Sequence, residues 1–155
     1  MSNNKVHSSV YELANNFFES TGVVKKDIPS FYFCDNQKDA DECAQLVLDG
    51  VKRATASSLW SYEVNNEVLP KEQDIYIVTN WVGMALCVIQ VEKVEVTPFE
   101  KISRQFAEIE GEGDKSLEYW RKVHWEYYHR ELAGAPYEPT QDMPIVCEYF
   151  RVIFK

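Results

Sequence analysis

Gly50-Val51-Lys52-Arg53-Ala54-Thr55-Ala56-Ser57, followed closely by Leu59-Trp60-Ser61-Tyr62-Glu63, is the stretch on which the reading of this chain turns. Gly50 suits the left-handed stop of a preceding helix. Lys52 and Thr55 stand three apart, and a regular strand would send them to opposite faces. Joint action by the two therefore requires a turn, bulge or helical entry, and Gly50 supplies backbone freedom for one. Together they form a sensible base and nucleophile pair, although a solvated lysine after a helix and an ordinary strand threonine are the commoner reading of such residues. A lysine beside an apolar mouth loses hydration and becomes a better base, and a threonine hydroxyl becomes a nucleophile with such help.

Working outward toward the N-terminus, Ala40, Cys43, Ala44, Val47 and Leu48 repeat at helical spacing, with Asp35 or Asn36 as the cap. Phe31 to Cys34 reads as a short strand. Val10, Leu13, Ala14, Phe17 and Phe18 predict an N-terminal amphipathic helix, with Ser8 and Ser9 as caps and Thr21-Gly22 as its stop. Toward the C-terminus, residues 74–79 and 84–89 read as two strands of an antiparallel hairpin joined by Asn80-Trp81-Val82-Gly83. The second strand passes from a continuous apolar run to alternation through Val91, Val94 and Val96, as a strand does when one face emerges into water. Pro98 closes it. Phe99, Ile102 and Phe106 give residues 99–108 a helical spacing. After the acidic turn comes a long aromatic helix over residues 115–132, capped by Asp114, striped by Leu117, Trp120, His124 and Tyr127, and stopped by Gly134. Residues 145–154 form a last strand. Strands and helices without regular βαβ alternation predict an α+β fold.

The chain has 155 residues, 45% of them hydrophobic, which suits one domain with a full core. No apolar run is long enough to span a membrane, and the opening residues MSNNKVHSS carry none like a signal peptide's, so a cytoplasmic location is expected. The cysteines at 34, 43, 87 and 147 form no CxxC pair, and no histidine sits at zinc-ligand spacing. Each reads as a quiet core residue, and neither metal nor cofactor is expected. A formal net charge of −9 disfavours tight, non-specific binding of long RNA, because polyanion affinity comes from Lys and Arg releasing counterions. A small nucleoside or a short RNA is the easier partner.

The run GVKRATAS at 50–57 with LWSYE at 59–63 resembles the G-x-K-x-x-T signature of ASCH domains. EGEGDKSLEYWRKVHW at 110–125 looks like the acidic turn and helix of the longer bacterial members, and DMPIVCEYFRV at 142–152 like their last strand. Three blocks in the family's order make the resemblance specific. It implies a PUA-like β-barrel, mixed or antiparallel, flanked by helices. Residues 1–155 then form a single domain, with 1–30 as an added helical extension and 31–155 as barrel core and flanking helices. It also implies chemistry on RNA or modified nucleosides. A short-chain branch, similar only around the signature, removes the acetyl group of N4-acetylcytidine with a lysine, a threonine and a glutamate. Lys52 and Thr55 match the first two, and Glu110 is the best counterpart of the third.

Three functions follow as expectations: hydrolysis of an N4-acylcytidine-like amide or RNA-derived substrate by Lys52, Thr55 and Glu110, a non-catalytic RNA-binding module, or a ribonuclease. Glu108, Glu110, Glu112 and Asp114 crowd one turn, where repulsion could raise a carboxyl's pKa enough for acid catalysis, although a solvated loop is the commoner explanation. Metal binding there would lack the spacing of a calcium loop. Arg53 could hold a phosphate or simply face solvent. Ser57, Trp60, Tyr62 and Trp120 are substrate-side candidates, the aromatics for stacking on a base, although aromatics at helical spacing, Trp120 above all, are more often core, and Arg121 could hold a phosphate or carboxylate. His124 and His129 share a helix with no nucleophile motif and read as structural or exposed. Aromatic strand surfaces leave room for a homodimer, and no membrane partner is expected.

Overall fold

In the computed structural model, which describes residues 5–155, the N-terminal periodicity becomes helix α1, Ser8–Thr21, with Val10, Phe17 and Phe18 buried. The N-cap is His7, whose ring accepts from Ser9 N–H, while the Ser9 hydroxyl accepts from Ala85 N–H at 2.9 Å. The expected serine caps are thus displaced, because Ser9 serves a tertiary bond instead. Gly22 stops the helix in the left-handed conformation, as expected. Residues 1–4 of the expected extension lie outside the described residues.

The chain divides into two compact units: Met1–Gly50 with Gln73–Gln90 and Arg151–Lys155, and Val51–Glu72 with Val91–Phe150. In the first, β1 (Ser30–Phe31) runs parallel to β3 (Ile75–Thr79). This strand is shorter than the expected one, because Cys34 turns into the left-handed region at φ 66° just before the Asn36 cap. Helix α2, Gln37–Leu48, starts where the Asn36 side chain accepts from Asp39 N–H. β3 pairs antiparallel with the first half of β4 (Ala85–Pro98). The turn between them is held by the Asn80 side chain, which accepts from Met84 N–H at 2.9 Å. Val10, Phe17, Phe18, Ile75, Ile77 and Val88 form this unit's core.

In the second unit β2 (Ala54–Ser58) lies antiparallel to β5 (Pro144–Phe154), with Thr55 opposite Glu148 and Ser57 opposite Val146. Ser58 then caps α3, Leu59–Val64, so the LWSYE block is helical. The single helix expected at residues 99–108 is broken. A 3₁₀ turn at Phe99–Lys101 gives way to α4, Arg104–Glu110, because the Ser103 hydroxyl accepts from Phe106 N–H and starts a new helix. The aromatic helix α5, Leu117–Glu131, is capped by Ser116 rather than Asp114, whose carboxylate instead accepts from Ser116 N–H. It ends at Leu132, before Gly134. Phe99, Ile102, Phe106, Trp120, Tyr128, Met143 and Ile145 are buried together as its core.

The fold is α+β, with a mixed sheet in the order β1-β3-β4-β5-β2. The sheet is open where a barrel is expected. Its edges are β1, of two residues, and β2, which ends after five where Ser58 caps α3. No helix among the described residues is long and apolar enough to cross a membrane.

Candidate functional site

Lys52 owes its position to the end of α4. The backbone at 51–53 is clamped by Arg53 N–H donating to Ile109 O at 2.9 Å and by Phe150 N–H donating to Arg53 O at 3.0 Å. Gly111 ends α4 at φ +75°, and a Cβ there would stand 2.5 Å from the Val51 carbonyl oxygen. Only glycine permits that approach. The clamp holds Lys52 inside, 1% exposed.

The Lys52 ammonium donates to Ala54 O at 2.8 Å and lies 3.3 Å from a Glu112 carboxylate oxygen and 3.8 Å from Glu110 Oε1. Glu110 is buried as deeply as Lys52, whereas Glu112 is partly exposed. The second oxygen of Glu110 accepts from the Trp120 indole N–H. His124 is buried too, its Nε2 3.3 Å from Glu110 Oε1 and its Nδ1 2.9 Å from Trp120 O. Its ring stacks on the Trp120 indole, with centroids 4.1 Å apart and planes 14° from parallel.

Both imidazole nitrogens thus face groups that accept hydrogen bonds, an arrangement that suits the doubly protonated ring. Burial opposes that charge most strongly, but attraction and hydrogen bonding from Glu110, the charge of Glu112 and the Trp120 carbonyl together hold the His124 pKa above its ordinary value. With His124 charged, two cations face two carboxylates in one buried group. Chemically this is a set of proton donors and acceptors whose geometry is fixed from behind by Trp120. Glu110, Glu112 and His124 each bring a ligand atom within 4.8 Å of the others and would be the donors available to a cation. The Lys52 ammonium already balances those carboxylates.

Of the residues expected from the sequence, Lys52 and Glu110 are brought together. Thr55 is not. The alternation of β2 buries Ala54 and Ala56 in the core with Phe106, Trp120 and Tyr128, which turns half-buried Thr55 and Ser57 to the other face. Ser57 there hydrogen-bonds Tyr62, whose phenol is pushed up to about 12, first by burial and then by the charge of Glu148. Arg53 is exposed. Trp60 is half-buried and stacked on Tyr137, with centroids 4.9 Å apart. Arg121 is exposed and reaches Glu100 O at 3.4 Å. Trp120 is a buried member of the group itself. A cleft of about 210 Å³ in the same unit is lined by Glu95, Thr97, Lys101, Ser103, Phe106 and Tyr149, among others. Lys52, Glu110 and His124 do not line it.

His124 is the member that the sequence reads as structural or exposed, and Glu112 is one of the four acids of the turn among which spacing does not choose. The available signal was the place of His124 on the aromatic stripe of α5. A histidine on a buried stripe needs partners for its ring nitrogens, and the acidic turn was the nearest source.

The ASCH domain family profile matches residues 29–154 of this chain. No curated protein matches it. Among solved structures, an ASCH domain from Lactobacillus crispatus JV V101 is 30% identical with a TM-score of 0.89, the match covering 100% of both chains. A protein from Enterococcus faecalis V583 is 31% identical with a TM-score of 0.88, over 95% of this chain and 89% of that one. With the profile covering most of its length and these two structures superposing along it, the chain belongs to the ASCH domain family, whose fold is PUA-like.

Proposed function

We propose that this protein hydrolyses an acyl amide on a small modified nucleoside, of the N4-acylcytidine kind, or on an RNA-derived fragment. The observation that carries the reading is the buried Lys52–Glu110 pair with His124 behind it. Amide hydrolysis needs a base for the attacking group, a positive charge facing the developing oxyanion, and a proton for the departing amine. Glu110 is the base, the Lys52 ammonium faces the oxyanion, and the His124 imidazolium returns the proton. Glu112, the partly exposed partner of Lys52, is the side chain that must swing aside for substrate to enter. With Thr55 turned to the other face of β2, the attacking group in this scheme is water.

Incubation with N4-acetylcytidine and related acylated nucleosides tests the reading. Release of the free nucleoside is expected, with a loss of roughly 10²-fold or more for Lys52→Ala and Glu110→Gln. No product from the unmodified protein, or full turnover by Lys52→Ala, would overturn it. Thr55→Val distinguishes water from a threonine nucleophile. Retained turnover supports the scheme, and abolished turnover restores Thr55 as the nucleophile.

A second reading, a non-catalytic module for short RNA, is favoured by one observation: Lys52 is enclosed while its neighbour Arg53 is exposed beside it. It predicts RNA affinity that weakens with salt and falls in Arg53→Ala. No affinity at low salt would remove it.

A further inference from the structure

Cys34 and Cys43 bring their sulfur atoms to 3.6 Å from each other. We propose that they form a redox-active dithiol, which a small peroxide converts to an intramolecular disulfide. The sequence reading makes all four cysteines quiet core residues, because nine positions separate this pair and no CxxC motif marks it. The fold overrides that spacing. Cys34 occupies the left-handed backbone turn between β1 and the Asn36 cap, at φ 66°, a conformation that non-glycine residues rarely adopt. Cys43 lies in the second turn of α2 and is 5% exposed. A disulfide needs its sulfurs about 2.05 Å apart, so the pair must close by only about 1.5 Å.

The two thiols are unequal in a useful way. Cys34 is half-buried and within reach of a small oxidant, whereas Cys43 is buried beside it and shielded from competing reagents. Cys34 is therefore the attacking thiol and Cys43 the resolving one. The Cys34 sulfur, as its thiolate, attacks one oxygen of hydrogen peroxide, breaking the O–O bond and giving a sulfenic acid, and the other oxygen leaves as hydroxide, which takes up the proton the thiol released and becomes water. The Cys43 thiol then attacks that sulfenic sulfur, forming the S–S bond and releasing a second water. Two electrons pass from the pair to the peroxide, and a thiol reductant reverses the change.

The remaining cysteines provide the internal control. Cys87 and Cys147 are 0% and 2% exposed. Burial pushes the Cys87 thiol up to about 11 and the Cys147 thiol to about 12, leaving neither with an appreciable thiolate fraction at neutral pH.

The test treats the native full-length protein with stoichiometric hydrogen peroxide, then measures intact mass, alkylation of each cysteine and disulfide-linked peptides. The expected result is loss of the mass of two hydrogen atoms and a linked peptide joining Cys34 to Cys43. Cys87 and Cys147 remain alkylatable once the protein is denatured, and dithiothreitol restores both lost thiols. In Cys43→Ser, Cys34 accumulates as a sulfenic acid that a dimedone probe traps. The proposal is overturned if no Cys34–Cys43 peptide forms, if Cys87 or Cys147 oxidises as fast, or if Cys43 oxidises at an unchanged rate in Cys34→Ser.

Discussion

Replacing Glu110 by Gln keeps the shape of the buried group and removes one charge. The amide oxygen can still accept from the Trp120 indole, while the amide NH2 stands where Oε1 faced Lys52 and His124, so the change removes both the charge and the acceptor that those two groups share. Opposite charges 3.8 Å apart, the Lys52–Glu110 separation, attract by about 4 kcal/mol at an effective dielectric of ~20. Much of that is offset by the cost of burying both ions. Removing one partner still leaves the desolvation of the other uncompensated, a loss of about 3 to 5 kcal/mol for buried pairs. Glu112, at 3.3 Å from Lys52, retains part of the compensation, so Glu110→Gln should fall near the lower end of that range. Lys52→Met should lose a similar amount, because it leaves two carboxylates facing each other. In the double variant the charges leave together, and the loss should be smaller than the sum of the single losses by about 1 to 3 kcal/mol. Urea unfolding of all four proteins at neutral pH, with slopes checked for constancy, measures the cycle. Single losses below about 1 kcal/mol, or energies that add within about 0.5 kcal/mol, would refute the reasoning.

Three further outcomes follow from the same geometry. His124 has its folded pKa raised above the ordinary 6.5, so its contribution to stability is fully present below that value and is lost as pH rises through the folded pKa. The stability gap between the protein and His124→Asn should shrink as pH is raised above neutrality, and an NMR titration of the ring should have its midpoint above 6.5. A gap that widens with pH would reverse the assignment. Gly111→Ala must hold an L residue in the left-handed region and push a methyl group into the Val51 backbone, for a loss of at least about 2 kcal/mol and a fall in Tm of roughly 4 °C or more. An unchanged Tm would show that the 51–53 segment moves freely. Asn36→Ala removes the cap of α2 and should lower stability by about 1 kcal/mol in the same urea assay, whereas Asn36→Asp keeps the acceptor for Asp39 N–H but loses the amide that donates to the Asp39 carboxylate at 2.8 Å, and so should restore only part of the loss.

Much of the fold was legible because it is locally written. The spacing of Val10, Phe17 and Phe18, the Asn36 cap and the 74–89 hairpin each rest on residues within a turn or two of one another. Where the reading missed, a nearby polar side chain had several uses. Ser9 could cap α1 but bonds Ala85, Asp114 could cap α5 but supports Ser116, and Ser103 starts α4 inside what periodicity presents as one helix. Local propensity ranks such choices weakly, and a single hydrogen bond decides them.

By itself, the sequence determined the α+β class, the positions of the main helices and the family, because periodicity and the ordered motif blocks are properties of the chain alone. Tertiary structure decided which of four neighbouring acids is buried against Lys52, that His124 completes the group, that Thr55 faces away from it, and that Cys34 meets Cys43. Each of these depends on where one segment is clamped against another. The Arg53 backbone bonds to Ile109 and Phe150, and the glycine contact between Gly111 and Val51, set the position of Glu110 relative to Lys52. Charge and spacing along the chain are silent about such contacts, since residues separated by nine positions, as Cys34 and Cys43, or by fifty-eight, as Lys52 and Glu110, become neighbours only when the chain folds.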